Sequence, residues 1–171
     1  TTGGAVSNYA PWPGSAWGPW GITAGPDGTL TDEKGMEYYA LFWEGVPEQP
    51  WSAPDGFVIA GKETATFLEE KLAYLGLNRR EANEFILHWL PRMEKNPFNL
   101  IHFSGKAYEE SAALTITPRP ESVIRVMMLT QPLQSKIEFP LQDLSELKKE
   151  RKGFTVVEWG GAVAELVEAG L

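Results

Sequence analysis

Two glutamates beside tryptophans are the residues best suited to chemistry. Glu44 closes Phe42-Trp43-Glu44-Gly45, and Glu158 sits in Val157-Glu158-Trp159-Gly160-Gly161. Strand parity places Glu44 on the face of Phe42 and Tyr38, and Glu158 on the face of Phe154 and Val156. A carboxylate on an apolar face is costly unless it is paired. If both faces lined one cleft, the pair could act as acid and base or nucleophile, as in glycoside hydrolysis. The competing account is structural. Arg125 lies inside the apolar run Val123 to Leu129, and a buried guanidinium needs a carboxylate, so Arg125 with Glu158 reads as an internal ion pair.

Other constellations are weaker. There are two histidines and no cysteine, so a three-histidine zinc site, thiol catalysis and disulfides are excluded. His88 falls at the margin of a helix one turn after Glu84, which favours an exposed, ion-paired role. His102 shares a strand face with Phe98 and Leu100 and reads as a core-edge histidine. Ser104 lies two residues beyond it, without a nucleophile elbow or a supporting aspartate in the sequence. An EF-hand starting at Asp27 fails, because its sixth and twelfth positions hold Asp32 and Tyr38. No phosphate-binding glycine motif appears, and no cofactor is called for.

The aromatics offer binding chemistry instead. They make up 12% of the chain, with seven tryptophans. Trp12, Trp17, Trp20 and Trp51 lie in Pro/Gly-rich segments, which run on surfaces, and Trp43 lies beside Glu44. Such rings can stack on sugars or anchor a protein. An arm that folds back to plug a sheet edge is an equal alternative.

The elements that must position these residues follow from pattern and punctuation. The chain has 171 residues, 43% apolar and 22% charged, a length and composition for one globular domain. A formal charge of −8 argues against nucleic acid and anionic membrane surfaces as partners. No apolar run is long enough to insert into a membrane. Residues 1–19 form an irregular Trp/Pro/Gly-rich arm, with no basic and apolar regions of a signal peptide. Residues 20–161 form the domain, and 162–171 a tail or short helix.

Trp20 to Ala24, Thr29 to Thr31 and Met36 to Glu44 read as a three-stranded meander joined by turns at Pro26-Asp27-Gly28 and Asp32 to Gly35. Phe57 to Ala60 is a short strand. Phe67, Leu68, Leu72 and Leu75 mark a first helix, closed by Gly76. Asn78 with Glu81 has capping-box spacing. Ala82, Phe85, Ile86, Trp89, Leu90 and Met93 then form one apolar face, with Pro91 expected to kink the helix. Further strands are expected at Phe98 to Phe103, Ala112 to Thr117, Val123 to Leu129, Lys136 to Phe139 and Phe154 to Trp159. A charged helix is expected at Leu144 to Arg151. The order gives an α+β fold, a mainly antiparallel sheet with an αα-hairpin on one face.

Four stretches carry a resemblance: WGITAGPDGTLTD from Trp20, YALFWEG from Tyr39, LGLNRREANEFILHWLPRMEKNPFNLI from Leu75, and GFTVVEWGG from Gly153. Together they resemble an uncharacterised family of bacterial proteins, many of them exported. Members often begin with a KPVIYLYP segment, which is absent here; the Trp/Pro/Gly arm stands in its place. The resemblance implies an extracytoplasmic bacterial setting and supplies no catalytic residues. The leading expectation is a non-enzymatic envelope or secreted module that binds a protein or glycan through aromatic loops. The alternatives are a carboxylate-dependent hydrolase using Glu44 and Glu158, and an adaptor or chaperone-like part of a larger assembly.

Overall fold

A computed structural model describes residues 21–43 and 51–164. Trp12, Trp17, Trp20 and Glu44 lie outside the described residues. The tail or short helix expected over 162–171 begins instead as strand, which continues to Val163, and its part beyond Ala164 lies outside the described residues.

The chain begins with a small antiparallel meander: β1 (Ile22–Ala24), β2 (Leu30–Asp32) and β3 (Glu37–Tyr38). Asp27 and Asp32 build its turns. Asp27 accepts from the Thr29 amide at 3.0 Å and from its hydroxyl at 2.9 Å. One oxygen of Asp32 accepts the Lys34 and Met36 amides, both at 2.9 Å, and the other accepts the Tyr38 hydroxyl at 3.1 Å. These bonds favour the charged carboxylates and lower both pKa values. β3 is far shorter than the aromatic run from Met36 to Glu44 promised. The chain leaves the ladder after Tyr38, and Tyr39 meets Arg80 instead, with the guanidinium 4.6 Å from the ring centroid.

The second sheet has the order β4-β5-β6-β7. β4 (Phe57–Ala60) is one edge, β5 (Phe98–Ser104) and β6 (Ser122–Leu133) are central, and β7 (Thr155–Val163) is the other edge. β4, β5 and β6 pair antiparallel, whereas β6 and β7 pair parallel. A parallel pair needs a long return connection, and residues 134–154 supply it.

Between β4 and β5 the chain forms the αα-hairpin. Helix α1 (Thr64–Tyr74) ends in a complete Schellman motif. The Gly76 amide bonds the Ala73 carbonyl at 3.1 Å, and the Leu77 amide bonds that of Leu72 at 3.0 Å. Gly76 adopts φ +105°, a conformation that strains any residue with a Cβ. Helix α2 (Arg79–Met93) starts with the capping box: the Glu81 amide donates to Asn78 at 3.0 Å and the Asn78 amide to Glu81 at 2.8 Å. Pro91 falls in its last turn, and the helix ends two residues later.

Both helices cover one face of the larger sheet. Leu68, Leu72, Phe85, Trp89 and Met93 meet Ile101, Phe103, Ile124, Val126 and Met128. Buried Asn99 ties these parts together, donating to Thr64 Oγ1 at 3.1 Å and to the Met93 carbonyl at 2.9 Å. One side chain thus joins the start of α1, the end of α2 and β5.

Three expected elements take other forms. Ala112 to Thr117 is irregular, and a short helix α3 (Lys106–Ser111) precedes it. Both central strands already have two neighbours, which leaves no ladder for another strand there. Lys136 to Phe139 joins no ladder. Leu144 to Arg151 makes one turn, with Leu147 and Lys148 amides reaching the Leu144 carbonyl. It buries Leu144 in the main core, so it works as a connection across the molecule.

Candidate functional site

The sheet face away from the α-hairpin carries the site. On this face β6 presents Arg125, Met127 and Leu129, and β7 presents Glu158 and Ala162. Arg125 and Glu158 are register partners in the parallel ladder, so their side chains leave the sheet together. They form an ion pair through Arg125 Nε and Glu158 Oε2. The Arg125 side chain is 6% exposed and that of Glu158 13%, so the pair is largely desolvated.

Helix α3 brings Tyr108 over the pair. Its hydroxyl donates to Glu158 Oε1 at 3.0 Å, and the Arg125 guanidinium sits 4.5 Å from the ring centroid. This cation–π contact stabilises a guanidinium with little water around it. Trp43 completes the cluster from the meander side, its indole Nε1 donating to Glu158 Oε1 at 2.7 Å. One carboxylate therefore accepts from an arginine, a phenol and an indole.

The electrostatics follow from this arrangement. Burial, reinforced by the Glu158 charge, pushes the Tyr108 hydroxyl far above its ordinary range, so it stays a donor. Burial works against the Arg125 charge, but the bond and charge of Glu158 outweigh it and hold its pKa above the usual value. Among the described residues Arg125 Nη2 is buried and has no hydrogen-bond partner.

Trp51 belongs to the same face. It is half-buried, packs against Tyr108 with ring centroids 6.1 Å apart, and joins a small core of Met127, Leu129 and Ala164. Trp43 differs: it is 37% exposed, and Tyr39 and Phe42 nearby are 55% and 48% exposed. The segment after β3 thus presents three aromatic rings to solvent within five residues.

His102 lies in β5 on the same face. Its Nδ1 is 2.9 Å from both the carbonyl and a carboxylate oxygen of Asp55. The supporting aspartate absent from the local sequence is therefore present in space. Ser104 is buried, however, and makes no hydrogen bond to His102, so the three residues do not form a nucleophilic relay. The contact pins the approach to β4. His88 makes no ion pair with Glu84; Arg80 takes Glu84 at 3.3 Å. His88 instead lies against Trp89 with centroids 5.3 Å apart, and desolvation, aided by Arg92, lowers its pKa. Among the described residues no group of three or more His, Asp or Glu is placed to hold a metal ion.

Tyr108 is the functional residue that sequence reasoning passed over. It sits between Ala107 and Glu109 in a helix that no apolar periodicity announced, and nothing local points it at Glu158, 50 residues away. Comparison with family models, curated proteins and solved structures found no match.

Proposed function

We propose that this protein is a non-enzymatic binding module that engages a protein or glycan partner through its aromatic surface. The observation that carries this reading is the condition of Glu158. Its oxygens accept from Arg125, Tyr108 and Trp43, which suits a fixed acceptor and not a group that trades protons with a substrate. The same bond leaves the Trp43 ring held in place, beside the exposed rings of Tyr39 and Phe42. A held ring loses little entropy on stacking, which favours recognition. An envelope or secreted setting rests on the motif resemblance alone.

The test is a neutral-glycan array probed with the full chain and with a Phe42→Ala/Trp43→Ala variant, alongside affinity capture of protein partners on both. Binding that falls about tenfold or more in the variant, with an unchanged far-UV spectrum, supports the reading. Equal binding by both proteins would remove the aromatic surface from it. The hydrolase reading makes a separate demand: Glu158→Gln must abolish turnover of some glycoside.

A further inference from the structure

β4 is an edge strand, and its outer side faces a groove. Gly56, just before it, donates its amide to the Pro140 carbonyl at 2.8 Å and accepts from the Gln142 amide at 3.4 Å. Gly56 thus turns its backbone away from β5. Alternation along an antiparallel pair turns the amide and carbonyl of Val58 the same way. Among the described residues neither group has a hydrogen-bond partner. Beyond Val58 the segment 136–139 bows away and leaves a groove of about 550 Å³, lined by Phe57, Val58 and Ile59 on one wall and Ile137, Phe139 and Leu141 on the other. Leu141 is 78% exposed.

We propose that this groove receives an extended peptide segment of a partner protein, added as a strand beside β4. Three observations select that occupant. An unpaired backbone amide and carbonyl on a strand edge, those of Val58, recognise another backbone. The dimensions agree: a strand residue takes ~160 Å³ by its rise and its spacings to neighbouring strands and sheets, so about 550 Å³ admits roughly three residues. The outer wall also stands where the edge of a second copy's sheet would have to approach, so a single chain fits and another sheet does not. Lys136 and Glu138 on that wall cancel in charge, which favours an uncharged segment with apolar side chains at alternate positions. The groove lies at the opposite edge of the sheet from Glu158 on β7, so it is separate from the aromatic surface.

The experiment selects phage-displayed heptapeptides on the full chain. Enriched peptides are then synthesised with one backbone amide N-methylated at a time, and affinity is read by fluorescence anisotropy. The expected result is a loss of about tenfold at one amide, the donor to the Val58 carbonyl, and near-neutral effects at the others. Val58→Pro, which removes the outward donor at an edge position that tolerates proline, should weaken binding by a similar factor. If that variant does not fold, the methylation pattern decides alone. Failure to enrich any peptide, or a methylation profile in which no single amide stands out, overturns the proposal. So does tight binding by synthetic peptides of this chain's own residues 1–20 or 165–171, which assigns the groove to the chain itself.

Discussion

At the scale of single residues, the strongest commitment in the molecule is Arg125 with Glu158. A buried ion pair is weak evidence of net stabilisation, because desolvation offsets its attraction, but removing one partner strands the other. Arg125→Met should therefore cost about 3 to 5 kcal/mol, and Arg125→Met with Glu158→Leu should recover most of that loss. Urea unfolding of the two single variants and the double variant measures it; additive losses would show that the two side chains act independently. Tyr108→Phe keeps the ring over Arg125 and removes one donor to Glu158. Its cost should be about 1 to 3 kcal/mol, the range for a bond to a charged, buried acceptor, in the same assay.

At the scale of elements, the turns of the meander are charge-dependent. Asp27 and Asp32 have pKa values below the usual carboxylate range. Their contribution is therefore complete above the unfolded value near 3.8, and it is lost as pH falls below that value through the folded ones. Amide exchange at Thr29, Lys34 and Met36 should accelerate over that interval, beyond the intrinsic pH trend, while α2 amides hold. The comparison between these elements also shows what a sequence conveys. α2 was legible almost to the residue, because Asn78, Glu81 and the apolar face from Ala82 to Met93 are local signals. β4 was legible for the same reason, bounded by Gly56 and Gly61. The strand expected from Ala112 to Thr117 fails on a fact no local pattern contains: β5 and β6 already have two neighbours each. Of the site, Arg125 with Glu158 could be inferred from polarity in an apolar run. Tyr108, Trp43 as a donor to Glu158, and Asp55 beside His102 depend on long-range register and could not.

At the scale of the whole molecule, the meander shares no ladder with the larger sheet among the described residues. Among the described residues two polar links join it to that body, Arg80 with Tyr39 and Trp43 with Glu158. Regions with few buried apolar contacts open at lower free energy than the core. Native-state hydrogen exchange should rank β2 amides well below those of β5 and β6. Trp43→Ala should lower the β2 value further and leave β5 unchanged. A common opening energy for both sheets would contradict this division.

The parallel pairing of β7 has a kinetic consequence. Residues 105–121 join β5 to β6 and residues 134–154 join β6 to β7, connections of similar length and so of similar closure entropy, and β7 docks on β6 as a separate step. Until it docks, Arg125 keeps its hydration shell. If the barrier is crossed before that water is shed, replacing Glu158 will hasten unfolding and leave the rate of refolding almost untouched. The molecule would then owe its lifetime, more than its speed of assembly, to a single acidic side chain on its last strand.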